Sequence, residues 1–326
     1  MLSPLGFSLL RRLADGEVHS GEALAAASGI SRARVSQLLR EVDAAGVTLE
    51  RRRGRGYRLP DPLPFLAREA IVAALGTRAA QLAIDVADSI DSTNSELARR
   101  ASVGSIHGHL LVAEWQTAGR GRRGRGWSAA IGGSLSFSLG WRFERGAGFL
   151  SGLPLAVGLA VVQALEADSF HGVGLKWPND IIHDQKKLGG ILVELSGDAL
   201  GPSLAIIGVG LNVRLPAKLR REIAQPATDL AAIAPARTID RNALLARIAV
   251  ELLSVLAIYA NEGFAPFRAA WQRRHALQKK PVRIVLPDGG AVRGEVVGVD
   301  ADGALILDSA GRRSRYVSGE VSLRRA

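Results

Sequence analysis

The most unusual segment of this chain is Gly119-Arg120-Gly121-Arg122-Arg123-Gly124-Arg125-Gly126-Trp127. Glycines allow a backbone to approach a ligand closely, and arginines surround phosphate groups with paired N–H donors. The segment matches neither the Walker A pattern nor the dinucleotide-binding fingerprint. Taken alone, it fits a phosphate-binding loop or an RNA-binding tract of the RGG type equally well. Predicted strands on both sides, over residues 110–113 and 135–139, favour a binding loop in an α/β enzyme domain.

Composition limits the class of protein. A chain of 326 residues predicts two or three domains, and 47% hydrophobic with 22% charged residues excludes wholesale disorder. The chain has no cysteine, which excludes disulfides, cysteine-ligated zinc and thiolate nucleophiles and fits a reducing compartment. The net charge of +11 favours a negatively charged partner: nucleic acid, nucleotide phosphates or an acidic protein, although a solvated arginine-rich surface gives the same total.

No targeting or membrane segment is expected. Arg11 and Arg12 follow the first apolar stretch, whereas a secretory signal carries its positive charges before it. The longest apolar run, residues 149–165, is interrupted by Gly152, Pro154 and Gln163, so we interpret it as a buried core helix. The expectation is a soluble, cytoplasmic protein without a membrane partner.

Residues 1–60 resemble a separate DNA-binding unit. Leucines at helical spacing precede a second short helix capped by Ser20, and Ser31 caps a third helix with an apolar stripe. The basic run 51–58 then predicts a turn between short strands, which together make a winged helix-turn-helix. The alternative is a generic helical cap with a solvated turn. The candidate DNA-binding residues are Gly21, Ser31, Arg32, Arg34, Ser36, Gln37, Arg40, Arg52, Arg53 and Arg55.

Two further units follow the prolines of 61–64. Residues 65–275 interleave strands and helices, including helices over 149–167 and 241–259, and predict one mixed α/β domain. Residues 276–326 alternate as short strands around turns at 287–290, 300–303 and 309–311, which predicts a small β-barrel.

Three other polar segments lie in the central domain. In residues 176–180, Pro178 fixes a turn beside a lysine. Residues 186–187 are two lysines immediately before a predicted strand. Residues 91–94 form a helix-capping cluster. Each segment alone is an ordinary charged turn or cap. His107 and His109 have no third ligand nearby, so no metal site is predicted.

Together, these segments resemble the family of bifunctional biotin–protein ligases and biotin operon repressors. The match covers, in order and spacing, 91–94, 116–118 leading into the Gly/Arg loop, 176–180, 187–194 and 208–212. The resemblance implies a class II synthetase-like α/β catalytic domain between an N-terminal winged helix-turn-helix and a C-terminal SH3-like β-barrel. Segment 214–228 does not match position by position, and the exposed residues of the third helix are this chain's own.

The resemblance also implies an activity. Members of the family join biotin and ATP, with Mg²⁺, into biotinyl-5′-AMP and then transfer biotin to a lysine of the biotin carboxyl carrier protein. When adenylate accumulates, the protein would form a homodimer and repress the operator DNA of biotin synthesis genes, with the adenylate as corepressor.

The implied site residues fall into three groups. Catalysis would use Lys187, Arg122, Lys176 and Asp180. Biotin would contact Ser92, Thr93, Asn94, Gln116, Arg120, Gly121, Arg122 and Lys187. ATP would contact Arg120, Arg122, Arg125, Trp127, Lys176, Asn179 and Asn212.

Three alternatives remain open. One is a biotin-sensing repressor without ligase activity, which the complete set of phosphate-directed cations disfavours. The second is a lipoyl or octanoyl transferase of related fold, which the N-terminal unit and residues 176–180 disfavour. The third is a ligase with a vestigial DNA-binding unit, which the exposed arginines of residues 32–55 disfavour.

Overall fold

Serine caps define the N-terminal helices. The structure, a computed structural model, describes residues 2–198, 200–286, 290–317 and 322–325. The hydroxyls of Ser3, Ser20 and Ser31 accept backbone N–H groups at the starts of three helices, which satisfies donors that a helix leaves free. These helices are α1 (Pro4–Arg12), α2 (Gly21–Ser28) and α3 (Arg32–Ala44), and a hairpin of β1 (Glu50–Arg52) and β2 (Gly56–Arg58) follows.

The apolar stripe predicted on the third helix is confirmed. Val35, Leu38, Leu39 and Val42 are buried, and they pack with α1 and α2 into one hydrophobic cluster. Ile131 of the central region joins the same cluster. The N-terminal unit therefore packs directly on the rest of the molecule.

The central region contains one seven-stranded sheet. Its elements in chain order are α4 (Arg68–Leu75), β3 (Ala83–Ile90), α5 (Thr93–Ala101), β4 (His109–Gln116), β5 (Ser134–Phe143), α6 (Leu153–Ala167), β6 (Val173–Lys176), β7 (Asp180–His183), β8 (Lys186–Gly197), β9 (Ser203–Asn212), α7 (Ala217–Glu222), α8 (Leu230–Ile233), α9 (Arg241–Glu262) and α10 (Arg268–Arg274). The strand order is β3-β4-β5-β9-β8-β7-β6, with β3 and β4 parallel and the other neighbours antiparallel. Strands and helices are interleaved in this region, as predicted, and the sheet itself combines parallel and antiparallel neighbours.

Two local predictions need correction. The helix predicted over 149–167 is a 3-10 turn, Ala147–Leu150, followed by α6 from Leu153. Pro154 lies in the first turn of α6, where its missing N–H leaves no bond unmade. Lys186 and Lys187 lie within β8 and not before it, because their backbones already pair with β7.

Helices α6 and α9 form the core under the sheet. Segment Ala147–Ala167, which ends with α6, and helix α9 are each apolar enough by length and composition to cross a membrane, but 72% and 56% of their most apolar windows are buried inside the protein. α6 is buried on nearly every side, as is typical of a helix inside a core. The predicted buried core helix is confirmed.

The C-terminal strands form a second, smaller sheet. They are β10 (Pro281–Val285), β11 (Ala291–Val299), β12 (Leu305–Ser309), β13 (Arg312–Tyr316) and β14 (Ser322–Arg325), in the antiparallel order β13-β12-β11-β10-β14. Residues 287–289 of the first predicted turn lie outside the described residues. Val282, Val296 and Leu307 join the hydrophobic cluster of the central sheet, so the small sheet packs on the same core.

A buried ion pair fixes the connection after the N-terminal unit. Arg241 Nη2 lies 2.7 Å from Glu114 Oε1, and these side chains are 3% and 0% exposed. Arg241 also donates to the carbonyl of Pro64, and Glu114 accepts from the backbone N–H of Leu66. The backbone N–H of Leu63 donates to Ala14 of the N-terminal unit over 2.8 Å. Adjacent residues of the connection are therefore bonded to the two units that it joins.

Candidate active site

One cavity of about 660 Å³ opens beside the central sheet. The loop after β4, the start of α5, the β6–β7 turn and strands β8 and β9 all line it. All fourteen residues that the sequence analysis assigned to catalysis, biotin or ATP lie in this lining: Ser92, Thr93, Asn94, Gln116, Arg120, Gly121, Arg122, Arg125, Trp127, Lys176, Asn179, Asp180, Lys187 and Asn212.

The start of α5 supplies a buried, fixed polar end. Ser92 caps the helix, and the backbone N–H and hydroxyl of Thr93 both lie within hydrogen-bond distance of Gln116 Oε1, at 2.7 and 3.1 Å. Asn94 Nδ2 donates to Glu194 Oε2 over 2.7 Å, and its Oδ1 lies 2.5 Å from the hydroxyl of Ser138. Because their partners hold these groups, they form a preorganised set of donors and acceptors. Sequence reasoning assigned no role to Ser138, whose burial in β5 is a tertiary property.

Glycines on the strands make room for the site side chains. A Cβ at Gly208 would lie 2.3 Å from Asn94 Oδ1, and one at Gly210 would lie 2.4 Å from Trp127 Cε2. Side chains at these positions would displace the polar end and the indole respectively. Both glycines lie in the matching segment 208–212, but the sequence predicted no function for them, since their neighbours are far away in the chain.

The Gly/Arg loop lies between strands β4 and β5, as predicted, and backbone hydrogen bonds close it into a turn. The N–H of Trp127 donates to Gly119 O over 2.8 Å, and the N–H of Gly121 donates to Arg125 O over 2.7 Å. Arg120 forms an ion pair of 2.5 Å with Glu194. The loop therefore contacts β8 while keeping its other arginines in the cavity lining.

Arg122 of the loop and Lys187 of β8 both contact the β6–β7 turn. Arg122 Nη1 donates to Asn179 Oδ1 over 3.1 Å, and Lys187 Nζ lies 2.6 Å from Asp180 Oδ1. Burial lowers the pKa of Arg122, and neighbouring Arg123 acts in the same direction. Six cationic side chains and two carboxylates line the cavity, which makes it attractive to a polyanion.

Segment 214–228 closes one side of the cavity. The N–H of Lys187 donates to Pro226 O over 2.8 Å, and the N–H of Thr228 donates to Lys187 O over 2.9 Å. Asn212 Nδ2 donates to Thr228 O over 3.0 Å. These bonds bring residues 222–225 and 227 into the lining, a set that sequence reasoning left unassigned.

Among the described residues, no three histidines or carboxylates are grouped as a metal site would require. His107 is instead engaged in packing, since its ring lies 4.4 Å from that of Trp141 and its Nδ1 accepts from the N–H of Arg142.

The candidate DNA-binding residues divide by exposure. Arg32, Gln37 and Arg40 are exposed on α3, and Arg52, Arg53 and Arg55 are exposed on the hairpin. The hydroxyl of Ser31 is engaged in capping, whereas Gly21, Arg34 and Ser36 are half-buried.

Comparison with known proteins gives consistent matches along the chain. Residues 86–212 match the biotin/lipoate A/B protein ligase family, and residues 280–324 match the biotin protein ligase C terminal domain. The bifunctional ligase/repressor BirA of Escherichia coli is 35% identical over 98% of this chain and 97% of its own. A biotin–[acetyl-CoA-carboxylase] ligase of Mycobacterium tuberculosis is 37% identical over 73% of this chain and 88% of its own.

A solved structure shows the same fold. The biotin protein ligase from Aquifex aeolicus, in complex with biotin and ATP, has a TM-score of 0.64 and 30% identity, covering 74% of this chain and 99% of that one. The fold is thus that of a protein ligase with a catalytic domain and a small C-terminal β domain. The chain belongs to the family of bifunctional biotin–protein ligases and repressors, since the similarity to its members includes the N-terminal unit.

Proposed function

We propose that this protein is an ATP-dependent biotin–protein ligase that also represses biotin synthesis genes. The main support for ligase activity is the cavity, in which the fixed polar groups at the start of α5 lie next to a wall rich in arginine and lysine. A repressor without ligase activity would not need this complete set of phosphate-directed side chains.

The polar end is the proposed biotin site. A ureido ring offers two N–H donors and one carbonyl acceptor, and it suits the fixed groups of Ser92, Thr93, Asn94 and Gln116. The loop residues 120–122 would then cover the valerate chain. Covering it also keeps water from the reactive mixed anhydride.

The cationic wall is the proposed site of adenylation. A carboxylate oxygen of biotin attacks the α-phosphorus of ATP, the bond to the β-phosphate oxygen breaks, and pyrophosphate leaves. Two anions meet in this step, so catalysis depends on positioning and on cations placed beforehand. Lys187 and Arg122 would neutralise the reacting groups, with Lys176, Arg120 and Arg125 on the phosphates.

The rest of ATP fits the remaining wall. Trp127, Asn212 and segment 222–227 would surround the adenine, and Asn179 would hold Arg122 in place. Asp180 and Glu222 are the only carboxylates among the lining residues, and Asp180 already pairs with Lys187. This donor set fits Mg²⁺ bound mainly through the ATP phosphates, where it would neutralise the leaving pyrophosphate.

Asp180 has a proposed part in the second step. The neutral amine of a carrier lysine attacks the biotinyl carbonyl, an amide bond forms and AMP leaves. Asp180 would orient this amine and accept its proton. The acceptor would be the biotin carboxyl carrier protein.

The N-terminal unit is the proposed repressor module. Its helices α2 and α3 and the hairpin β1–β2 have the order of a winged helix-turn-helix, with α3 as the recognition helix. Its exposed arginines suit phosphate and base contacts in operator DNA. The adenylate-bound form would bind as a homodimer, and a cytoplasmic location belongs to the same proposal.

Biotin-dependent exchange of pyrophosphate into ATP tests the ligase proposal, with lipoate as the control acid. The wild-type protein should exchange with biotin alone. Lys187→Ala should abolish exchange, because the cation at the reacting groups is removed. Lys186→Ala is the matched control, since the neighbouring lysine is exposed and outside the cavity lining, and it should retain activity. Exchange that survives in Lys187→Ala would refute the mechanism.

A further inference from the structure

The β6–β7 turn is held from behind by residues of the C-terminal part of the chain. Its front residues, Lys176, Asn179 and Asp180, line the cavity. Its back residue is Trp177, which is 1% exposed. The indole Nε1 of Trp177 donates to Gly303 O over 3.0 Å, across the boundary between the central region and the small sheet.

The loop that carries Gly303 is itself fixed. Asp300 Oδ1 accepts the backbone N–H groups of Asp302 and Ala304, both at 2.9 Å. The hydroxyl of Ser151, just before α6, donates to Asp302 O over 2.9 Å. The loop around the Gly303 carbonyl, which accepts the indole N–H, is therefore fixed by its own hydrogen bonds and by one to the catalytic domain.

Gly303 is suited to this approach. Its φ of +83° is in the region that favours glycine, and a Cβ there would lie 2.9 Å from the Cα of Gly152. Only a residue without a side chain brings the carbonyl this close to the start of α6.

Two further bonds hold the same turn. The backbone N–H of Trp177 donates to Nε2 of buried His275 over 3.4 Å, and the N–H of Ala276 donates to Leu175 O over 2.9 Å. Every one of these partners lies after the catalytic sheet in sequence. The turn thus has a cavity-facing side made of reactive groups and a rear side made of contacts to residues 275–303.

We infer that Trp177 is a positioning residue, through which the small C-terminal domain fixes the phosphate-facing turn of the catalytic domain. The inference rests on the proposed ligase function and extends it. Trp177 does not line the cavity, so it acts through Lys176, Asn179 and Asp180. The polar end on α5 and β4, proposed to bind the ureido ring, is held instead by bonds to Ser138 and Glu194.

The test compares Trp177→Phe with wild type in two measurements. The rate of biotinyl-adenylate formation should fall at least about 10-fold, because small misplacements of reacting groups have large kinetic effects. The biotin dissociation constant, measured by calorimetry without ATP, should stay within about two-fold of wild type, as expected for a site that keeps its contacts. Trp141→Phe, the same substitution in a half-buried tryptophan of β5, should change neither quantity.

The outcomes are distinguishable. A rate within about two-fold of wild type, or a fall in biotin affinity in parallel with the rate, would overturn the inference and leave Trp177 a packing residue. If Trp177→Phe does not fold, Ser151→Ala takes its place in the test. Ser151 is exposed, and the substitution removes only its hydrogen bond to the loop of Gly303. It should raise the KM for ATP about three-fold without changing the affinity for biotin. An unchanged KM there would equally overturn it. A wild-type protein without biotin-dependent exchange would instead remove the proposed function.

Discussion

His275 shows how burial controls the chemistry of a single residue. Desolvation lowers the pKa of this imidazole to about 4 from its ordinary 6.5, and the charge of Lys176 acts in the same direction, while Gln278 opposes both. The neutral ring accepts the backbone N–H of Trp177 and stacks on Trp271. A protonated ring would have no acceptor to offer.

This shift predicts how stability depends on pH. Between pH 6.5 and about 4, the unfolded chain binds a proton at His275 and the folded protein does not, so the free energy of unfolding falls as the pH falls. From pH 7.5 to 5, this one residue should remove about 2 kcal/mol. Urea unfolding at both pH values checks it. His275→Gln should lose correspondingly less stability over this interval, and an equal loss in the variant would contradict the assignment.

Asp229 makes three kinds of contact at the ends of segment 214–228. It caps α8 by accepting the N–H of Ala232 over 2.7 Å, accepts the N–H of Leu215 over 3.0 Å and forms an ion pair with Arg220. These bonds fix both ends of the segment that closes the cavity. Asp229, which is 2% exposed, therefore holds both ends of segment 214–228 in place.

Asp229→Ala should release that segment. We expect the KM for ATP to rise several-fold and the KM for biotin to change little, together with a loss of about 1–2 kcal/mol of stability. Steady-state kinetics and thermal unfolding measure both effects. The control is Asp240→Ala, which removes the cap of α9 but leaves the segment intact, and it should lower stability only. An equal rise of the ATP KM in both variants would show that the effect is not local.

Sequence reasoning succeeded for elements whose signals are local. The serine cap and apolar stripe of α3 predicted that helix, an apolar run predicted β4, and alternation predicted β5 and four of the five C-terminal strands. The site residues were assigned through the resemblance to a family; they line one cavity, and their individual roles stay predictions. By contrast, segment 214–228 has a short helix and prolines and no strong periodicity, and its position depends on bonds to Lys187. The roles of Ser138 and Gly208 likewise depend on Asn94, more than forty residues away in the chain.

At the scale of the whole molecule, the basic hairpin should work independently of the active site. Arg53 and Arg55 are exposed at its tip, and no ion pair involving either is found among the described residues. The double variant Arg53→Ala, Arg55→Ala should weaken binding to duplex DNA and reduce its salt dependence by about one unit of slope for each phosphate that is no longer neutralised. Ligase activity should be unchanged.

Duplex DNA from the protein's own biotin-gene promoters, with and without biotin and ATP, provides the binding measurement. Arg312→Ala, Arg313→Ala is the matched control, because this exposed arginine pair lies on the small sheet. If the wild-type protein binds none of these duplexes, or if both double variants lose binding equally, the hairpin has no specific part in DNA binding.

The bonded connection at residues 63–66 has a geometric consequence for gene control. Leu63 is bonded to the N-terminal unit and Pro64 to the buried Arg241, so α3, the proposed recognition helix, has little freedom to move relative to the central sheet. In a dimer, the distance between the two recognition helices would then be determined by how the catalytic domains meet. The number of base pairs between the operator half-sites would then report the geometry of that protein interface, and it could be determined from the promoter sequence alone.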